Sequence, residues 1–342
     1  MKIGKFDTSK KVFVIAEIGN NHEGDFSLAK ELVSIAAEAG ADAVKFQYII
    51  PEKLILATDR TRIDQLNRFK LKKQHYISLS EEANRLGVEF LCTPFDLSVV
   101  DFLDDLVAAF KIASGDNNFF PLIDKIVSTG KPVITSLGLG QINHAKQLQE
   151  YFFDKWQLLG HKNPGLGFLH CVCSYPTPIE KAGIMQIDKL KSLPVSPGYS
   201  DHTLGTKACE LAVARGARII EKHFTKNKDH SPFRDHQLSA DQKDLIKLVN
   251  AVRTAEKYLG SSVPRPGGCE EKCLPQVRRA PTVIRDLKVG EILSEENLAW
   301  LRGTRTNADQ RIDNLSSDIL GAKLRNQKKE GEVILPEDIS SY

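Results

Sequence analysis

Short apolar runs alternate with longer amphipathic stretches along the first 259 residues of the chain. The short runs are rich in Val, Ile, Phe and Ala, a composition that favours buried β-strands. Eight of them are predicted as strands, over residues 12–19, 43–47, 89–95, 110–114, 132–137, 167–173, 195–202 and 219–224. The hydrophobic pattern therefore predicts strands and helices in regular alternation.

The stretches between the strands carry apolar residues at helical spacing. The spacing predicts one helix over 27–39, ended by Gly40, and another over 240–259, ended by Gly260. Glycine is favoured just past a helix C-terminus because it adopts the left-handed conformation without strain. Ser239 and Gln242, three residues apart, predict a capping box at the start of the later helix.

Eight strands alternating with helices over about 250 residues predict a (β/α)₈ barrel. An open, doubly wound sheet is the alternative. No GxGxxG follows the first strand and no GxxxxGK[ST] occurs in the chain, which counts against the nucleotide-binding versions of that sheet.

A second, smaller domain is predicted at the C-terminal end. Residues 260–276 are rich in Gly and Pro and are predicted as a linker. Beyond them, GEILSEENL at 290–298 is similar to GEVILPEDI at 331–339. Two similar turn-and-strand units predict a pseudo-symmetric, mostly β module, although a chance similarity is the alternative. The predicted domains are thus a barrel over 1–259 and a small domain over 277–342.

Composition narrows the class of protein without indicating a function. The 342 residues include 47 basic and 44 acidic ones, and 41% are hydrophobic, which excludes a disordered chain. From residue 260 onward 13 basic residues balance 13 acidic ones, so no basic tail predicts nucleic-acid binding. No secretory signal and no apolar run of membrane-spanning length are predicted. Six sparse cysteines predict reduced thiols and a cytoplasmic location.

Polar residues stand at the C-terminal end of every predicted strand, where a (β/α)₈ barrel builds its active site. They are Glu17, Lys45, Gln47, Thr93, Lys111, Ser114, Ser136, Ser174, Tyr175, Ser200, Asp201, His202, Glu221 and His223. One such residue could be an ordinary solvated loop residue. Eight strand ends of this kind predict a functional rim.

Lys45 and Lys111 lie within apolar runs, and a lysine inside a strand loses solvation unless its ammonium meets an anion. Hydroxyl groups are predicted on the same rim at Thr93, Ser114, Ser136 and Ser200. Two cations with several hydroxyls predict a site for a small phosphate or carboxylate. The alternative is that both lysines extend to bulk water.

His202 and His223 end consecutive predicted strands and are therefore expected to be neighbours. Two imidazoles with open positions suit Mn²⁺, Fe²⁺ or Zn²⁺. Asp235, in the loop after the last strand, and Glu17 are expected at the same barrel mouth. Either could bind a sugar hydroxyl or move a proton, and a solvated loop acid is the alternative for both.

Six ordered motifs resemble the sialic acid (N-acetylneuraminate) synthases and related nonulosonic acid synthases. They are AEIGNNHEG at 16–24, GADAVKFQ at 40–47, TPFD at 93–96, KIASG at 111–115, GYSDHT at 198–203 and IEKHF at 220–224. The segment from Arg278-Arg279 onward, with its Gly-Glu repeats, is similar to that family's antifreeze-like (SAF) domain. The resemblance covers nearly the whole chain.

The resemblance implies a metal-dependent (β/α)₈ barrel that condenses phosphoenolpyruvate with an N-acylated hexosamine and releases phosphate. Its motifs imply phosphoenolpyruvate ligands at Lys45, Thr93, Lys111, Ser114, Ser136 and Ser200, sugar ligands at Glu17, Gln47, Tyr175 and Asp235, and metal ligands at His202 and His223. The catalytic residues implied are Glu17, Lys45, Lys111 and Asp235. The metal implied is Mn²⁺, with Mg²⁺ or Co²⁺ as alternatives. A domain-swapped homodimer is also implied, in which the small domain lends Arg302 to the partner's barrel.

The sequence departs from the family pattern at several places. Cys92 and Leu137 stand where Ser and Thr are usual, and both changes are conservative in size. Residues 48–74 form a shorter segment, which leaves the acceptor open between N-acetylmannosamine, its 6-phosphate and a diacetamido-hexose. Gly303 follows Arg302 where proline is usual, and 304–315 departs from the family pattern. The capping arginine is therefore Arg302, Arg305 or Arg311.

Two other functions stay open at this point. One keeps phosphoenolpyruvate but uses a sugar phosphate, as in the related octulosonate and heptulosonate synthases. The other is a non-catalytic scaffold whose C-terminal module binds carbohydrate.

Overall fold

The computed structural model describes residues 1–260, 268–271, 273–302 and 319–340. The chain divides between Gly260 and Ser261 into two compact units. Residues 261–267 and 272 of the predicted linker lie outside the described residues, as do Gly303, Arg305, Arg311 and the segment 304–315.

Eight parallel strands of the first unit close into a barrel, which confirms the predicted (β/α)₈ architecture. A short antiparallel pair precedes them, β1 (Lys2–Ile3) and β2 (Phe6–Asp7). The barrel strands are β3 (Phe13–Gly19), β4 (Ala43–Tyr48), β5 (Glu89–Pro94), β6 (Phe110–Ile112), β7 (Val133–Ser136), β8 (Leu166–Cys171), β9 (Ser196–Asp201) and β10 (Ile219–His223). Consecutive strands pair side by side, and β10 pairs with β3 to complete the ring.

Helices follow the strands around the outside of the ring. Their bounds in the first unit are α1 (Phe26–Glu38), α2 (Pro51–Leu54), α3 (Arg60–Phe69), α4 (Lys73–Leu86), α5 (Val100–Asp104), α6 (Phe120–Val127), α7 (Ile142–Leu158), α8 (Ile187–Leu190), α9 (Lys207–Ala214), α10 (Arg234–Leu238) and α11 (Gln242–Leu259). Short helices α12 (Gly268–Glu271) and α13 (Leu274–Val277) follow in the second unit. None of the described helices has the length and apolar composition needed to cross a membrane.

At the ends of the two predicted helices, the glycine after the first helix is confirmed and the cap of the second is wrong. Gly40 follows α1 with a φ of 88°, the left-handed conformation expected after a helix. The capping box at Ser239 is wrong, because Asp241 caps α11 by accepting a hydrogen bond from the Asp244 amide. Ser239 instead donates its hydroxyl hydrogen to the Asp235 carbonyl. An acidic side chain two residues later, Asp241, therefore replaces the Ser239 hydroxyl as the cap.

Alternation along the strands divides the barrel interior into two layers. An apolar cluster fills the N-terminal half of the interior, with Ile3, Phe13, Ile15, Ala43, Leu91, Ala109, Ile134, Leu169 and Ile219. Gly198 occupies the matching position of β9, where an added Cβ would lie 2.3 Å from Leu169 Cδ2. Two residues further along, the inward position carries a polar or charged side chain on seven of the eight strands, and β8 carries Cys171 there. The apolar layer is thus a floor beneath a polar layer at the C-terminal end.

The second unit contains a two-stranded antiparallel sheet, β11 (Ala280–Val283) and β12 (Leu298–Leu301). Its core consists of Val283, Leu287, Leu293, Leu298, Ile319, Leu324 and Ile334. Isolated bridges, among them Thr282 with Val333 and Ile292 with Lys323, join its early and late segments.

The internal repeat is visible in matched hydrogen bonds. Glu291 accepts from the Lys288 amide at 2.7 Å, and Glu332 accepts from the Lys329 amide at 2.8 Å. The glycines that precede these glutamates, Gly290 and Gly331, have φ of 86° and 85°. The same turn is therefore built twice, so the similarity of the two segments reflects structure and not chance.

Candidate active site

Four charged side chains form the polar layer above the barrel floor. Glu17, Lys45, Lys111 and Glu221 come from β3, β4, β6 and β10, and each follows an apolar floor residue by two positions. All four are buried. Period-two alternation explains this placement, because residues two apart on a strand face the same side.

The two lysines meet carboxylates inside the barrel instead of extending to bulk water. Lys45 Nζ lies 2.8 Å from Glu17 Oε2 and 3.5 Å from Glu221 Oε2. Lys111 Nζ lies 3.5 Å from Glu221 Oε1. Glu221 therefore bridges the two cations. It was not among the predicted ligands, although its inward position between Ile219 and His223 was a usable signal.

The surroundings of Glu17 and Glu221 shift the pKa values of the two carboxyl groups in opposite directions. Burial raises the pKa of Glu17, against the opposing effect of Lys45. Burial alone would also raise the pKa of Glu221, but Lys111, Lys45 and the Ser200 hydroxyl together lower it to about 2. Burial lowers the pKa of Lys111, and Glu221 opposes this. Glu221 is accordingly the fixed anion of the cluster, and Glu17 is the carboxyl group nearer to exchanging a proton.

The four predicted hydroxyl ligands have different environments. Thr93 Oγ1 accepts a hydrogen bond from Lys45 Nζ at 3.2 Å, and Ser200 donates to Glu221 Oε1 at 2.8 Å. Ser136 is buried, and its Oγ has no hydrogen-bond partner among the described residues. Ser114, just after β6, accepts from Cys173 Sγ at 3.1 Å. A buried hydroxyl without a partner is what a bound anion would satisfy.

Asp116 is a further acidic group near this layer that the strand-end pattern did not indicate. It lies two residues beyond Ser114 in a short 3₁₀ turn and is half-buried. Burial raises its pKa to about 6, against the attraction of Lys111. Its Oδ2 has no hydrogen-bond partner among the described residues.

His202 and His223 are neighbours at the barrel mouth, as predicted, with ring centroids 5.5 Å apart. His202 Nδ1 lies 2.7 Å from the Val172 carbonyl oxygen, so this nitrogen carries the proton and Nε2 keeps its lone pair. Burial lowers the pKa of His202 to about 4 and also lowers the pKa of His223. His223 Nδ1 is buried without a partner among the described residues. Neutral imidazoles, one of them oriented by a carbonyl, fit a divalent metal.

A different cluster of side chains brings three possible metal ligands together. Among the described residues, the ligand atoms of Glu23, His230 and His236 lie within 4.8 Å of one another. His236 Nε2 is 2.9 Å from Glu23 Oε1, and its Nδ1 is 2.7 Å from Thr225 Oγ1. Because both nitrogens of His236 already have partners, we interpret this group as a clamp between the loops after β3 and β10. His202 and His223 supply only two protein ligands.

The predicted sugar ligands lie around this mouth. Gln47 donates to Glu17 Oε1 at 2.9 Å. The Tyr175 ring lies 4.1 Å from the His202 ring and 6.2 Å from the His223 ring, between centroids. Asp235 is the second residue of the loop helix α10 and is half-buried. The barrel residues predicted to bind the sugar are thus on the same mouth as the histidines.

Arg302 belongs to the second unit, where it follows β12 directly and is exposed. The two alternatives, Arg305 and Arg311, lie outside the described residues. The choice between the three arginines stays a prediction.

Two family models match the chain, one over most of the barrel and one over the small C-terminal unit. Residues 32–264 match the NeuB family and residues 278–340 match the SAF domain. The chain is 36% identical to N,N'-diacetyllegionaminic acid synthase from Legionella pneumophila, over 98% of this chain and 96% of that protein. It is 30% identical to N-acetylneuraminate-9-phosphate synthase from Mus musculus, over 96% and 93%.

A solved structure gives the same picture. The crystal structure of N-acetylneuraminic acid synthetase from Leptospira borgpetersenii, in complex with citrate, superposes with a TM-score of 0.74 at 32% identity. The similarity covers 80% of this chain and 94% of that one.

Proposed function

The chain belongs to the NeuB family, and on that premise we propose that it condenses phosphoenolpyruvate with the aldehyde of an N-acylated amino-hexose. The products are a nonulosonic acid and phosphate. The observation that carries the proposal is the pair of buried ammonium groups, Lys45 and Lys111, held around Glu221 beneath two histidines. Such a pair suits the phosphate and carboxylate of phosphoenolpyruvate. N-acetylmannosamine is the leading acceptor.

The reaction forms one carbon–carbon bond and breaks one bond to phosphate. The enol electron pair of phosphoenolpyruvate joins its C3 to the aldehyde carbon, and the aldehyde oxygen takes up a proton. Water adds to the cationic C2 and loses a proton. The tetrahedral carbon then expels phosphate to leave a 2-keto acid. Lys45 and Lys111 offset the negative charge of the phosphate and carboxylate throughout, in a geometry set before substrate binds.

Glu17 is the proposed proton carrier. Its pKa is raised by burial, whereas the lysines keep Glu221 ionised. Two carboxyl groups whose surroundings separate their pKa values take different roles in catalysis. Gln47 holds Glu17 Oε1 at 2.9 Å and Lys45 lies 2.8 Å from Oε2, so the group is also fixed in place. Asp235 is the alternative carrier.

His202 and His223 are the proposed ligands of a divalent metal, Mn²⁺ foremost. When bound there, the metal would polarise the carbonyl of the acceptor. The hydrogen bond from His202 Nδ1 to Val172 supports this role, because it turns the other ring nitrogen into the ligand. His202→Ala should lose bound Mn²⁺ and turnover together. Full turnover of that variant after chelation would refute the metal assignment.

Phosphate release tests the reaction. Incubation with phosphoenolpyruvate, Mn²⁺ and either N-acetylmannosamine or a diacetamido-hexose should release phosphate in proportion to the aldehyde consumed. The name of the Legionella relative supports including the diacetamido acceptor. A folded protein that releases no phosphate with any of these sugars, with and without a 6-phosphate, contradicts the proposal.

We also propose a cytoplasmic homodimer in which the small domain of one subunit lends Arg302 to the partner's barrel. The NeuB and SAF matches support the shared site, and the six free cysteines support the cytoplasmic location. Arg302→Ala and Lys111→Met should each be inactive alone. Mixed subunits should recover activity, because one site of the heterodimer then keeps both residues. An inactive mixture that contains heterodimers contradicts the shared site.

A further inference from the structure

Two cysteines stand two residues apart at the end of β8, beside the active site. Cys171 is the last residue of the strand and is 5% exposed, whereas Cys173 lies in the loop that follows and is half-buried. Neither thiol is used by the proposed reaction. Both, however, contact side chains that the proposed reaction needs.

Cys173 contacts the part of the site proposed to bind phosphoenolpyruvate. Its Sγ donates to Ser114 Oγ at 3.1 Å, and Ser114 is one of the predicted ligands of phosphoenolpyruvate. The sulfur also packs against the loop after β7, where a Cβ added to Gly138 would lie 2.3 Å from Cys173 Sγ and 2.8 Å from Ser114 Cβ. Glycine at position 138 therefore leaves the space that the sulfur occupies.

Cys171 and its neighbour Val172 contact the part of the site proposed to bind the metal. Cys171 Sγ lies 3.7 Å from His202 Nδ1, and the Val172 carbonyl oxygen lies 2.7 Å from the same nitrogen. The carbonyl that orients His202 thus belongs to the residue between the two cysteines. A change in the backbone between the two sulfurs would alter the hydrogen bond that presents His202 Nε2 to a metal.

Cys173 is the more reactive of the two thiols. Interaction with the neighbouring Cys171 thiol lowers the pKa of Cys173 against the effect of burial, and Ser114 and Lys111 act in the same direction as Cys171. The thiolate is the form that attacks a peroxide. Cys173, half-buried at the barrel mouth, is therefore the nucleophile, and the buried Cys171 is the thiol placed to react with its oxidised product.

A disulfide between these cysteines would bend the segment that joins them. The Cα atoms of an extended three-residue segment are about 6.6 Å apart at its ends, from a rise of about 3.3 Å per residue. Disulfides usually join Cα atoms about 5.5 to 6 Å apart. Closure would therefore draw the two Cα atoms together and turn the Val172 peptide. That movement would take the Val172 carbonyl away from His202 and the Cys173 sulfur away from Ser114.

We propose that Cys171 and Cys173 form a redox-active dithiol site for a hydroperoxide, and that their disulfide switches off the barrel site. With hydrogen peroxide, the Cys173 sulfur attacks one peroxide oxygen, so that an S–O bond forms, the O–O bond breaks and one water leaves. Cys171 Sγ then displaces the hydroxyl group of the sulfenic acid, so that an S–S bond forms and a second water leaves. The peroxide takes up the two electrons and two protons that the thiols lose. A dithiol reductant reverses the change.

Mass spectrometry tests the dithiol in a protein whose exposed Cys269 and Cys273 are replaced by serine. Treatment with hydrogen peroxide should remove two hydrogens from the peptide that contains Cys171 and Cys173, and phosphoenolpyruvate should slow the loss. Cys173→Ser should form no disulfide. Cys171→Ser should stop at a sulfenic acid on Cys173, which dimedone traps. Folded protein in which both thiols can still be alkylated after the treatment overturns the proposal.

Metal binding and turnover measure the consequence of the disulfide. In the same serine background, the oxidised protein should bind Mn²⁺ roughly 10- to 100-fold more weakly in calorimetry. Its phosphate release should fall by about tenfold or more, and dithiothreitol should restore both properties. Cys173→Ser, compared with its own untreated sample, should keep its Mn²⁺ affinity and its turnover after peroxide. Oxidised protein with unchanged Mn²⁺ affinity and turnover overturns the switch.

Only the effect on turnover rests on the function proposed for the barrel. A reversible disulfide that weakens Mn²⁺ binding, in a protein that releases no phosphate in either state, would support the switch and refute the proposed reaction. Phosphate release that continues unchanged once the disulfide has formed would support the reaction and refute the switch.

Discussion

Lys222 Nζ lies 2.9 Å from Asp201 Oδ2, in an ion pair whose side chains are 1% and 0% exposed. The two residues are direct cross-strand partners at the ends of β9 and β10. Each immediately precedes one of the paired histidines, His202 and His223. Tyr199 also donates to Asp201, at 3.1 Å. The ion pair therefore fixes the spacing of the two imidazoles from outside the barrel interior.

Lys222→Met should weaken both the fold and the metal site. It leaves a buried carboxylate without its cation, which costs about 3 kcal/mol of unfolding free energy. Without this ion pair the two imidazoles are held less firmly, which lowers the metal affinity by roughly 10- to 100-fold. Chemical denaturation and Mn²⁺ calorimetry measure the two effects. Asp201→Asn in the Lys222→Met background should regain stability, and an unchanged Mn²⁺ affinity in the folded single variant would disprove the positioning role.

Lys111→Met should lower the activity of the protein but leave its stability nearly unchanged. The loss of one of two cations that face the phosphate and carboxylate should reduce kcat/KM about a hundredfold or more. Glu221 keeps Lys45 at 3.5 Å and Ser200 at 2.8 Å, so the unfolding free energy should change by less than about 1 kcal/mol. Lys146→Met, an exposed change, is the control. A variant that retains wild-type kcat/KM would exclude Lys111 from substrate binding.

Glu17→Gln tests which carboxyl group carries the proton. The amide keeps the shape and the contact with Gln47 but cannot exchange a proton, so kcat should fall by about a hundredfold or more. The KM for phosphoenolpyruvate should change little. Asp235→Asn should affect mainly the KM of the acceptor. The reverse pattern of the two variants would transfer the proton role to Asp235.

Asp116→Asn should stabilise the protein at alkaline pH. The folded pKa of Asp116 is about 6, above the ordinary 3.8 that applies to the unfolded chain. As pH rises from 3.8 to 6 the unfolded state loses its proton first, so the charge destabilises the fold and the full penalty applies above pH 6. After discounting for partial exposure, the variant should gain about 1 kcal/mol at pH 8.

At pH 5 that gain should be smaller, because much of the folded Asp116 is still protonated. Thermal denaturation of both proteins at pH 5 and pH 8 measures the difference. An equal shift of Tm at both pH values would mean that the carboxylate is not destabilised by burial.

The barrel could be predicted because the pattern of residues within each strand is enough to identify that strand. Floor and site residues alternate along one strand, as in Ile219, Glu221 and His223, and turn glycines such as Gly40 mark the helix ends. Lys45 and Lys111 could be identified from a charge in an apolar run. Each of these signals depends only on residues that are close together along the chain, so each can be recognised from the sequence alone.

Features made by distant segments were not visible in the same way. The role of Glu221 depends on two lysines from other strands, and the clamp of Glu23 on His236 joins the first loop to the last. The sequence shows the segment 48–74 only as short, whereas in the structure Arg62 of α3 and Arg234 line the same cavity. Such pairs form only when the eight strands close into the barrel, and the sequence of one segment does not show which other segment it will meet.

The duplicated turn in the small unit has a mechanical consequence. The bridges Thr282 to Val333, Leu287 to Lys328 and Ile292 to Lys323 pair the segment 282–292, around the first turn, with the segment 323–333, around the second. Neither segment can keep these backbone partners once the other unfolds. The small unit should therefore unfold in a single cooperative transition. Limited proteolysis should release it intact or degrade it completely, without a half-length fragment.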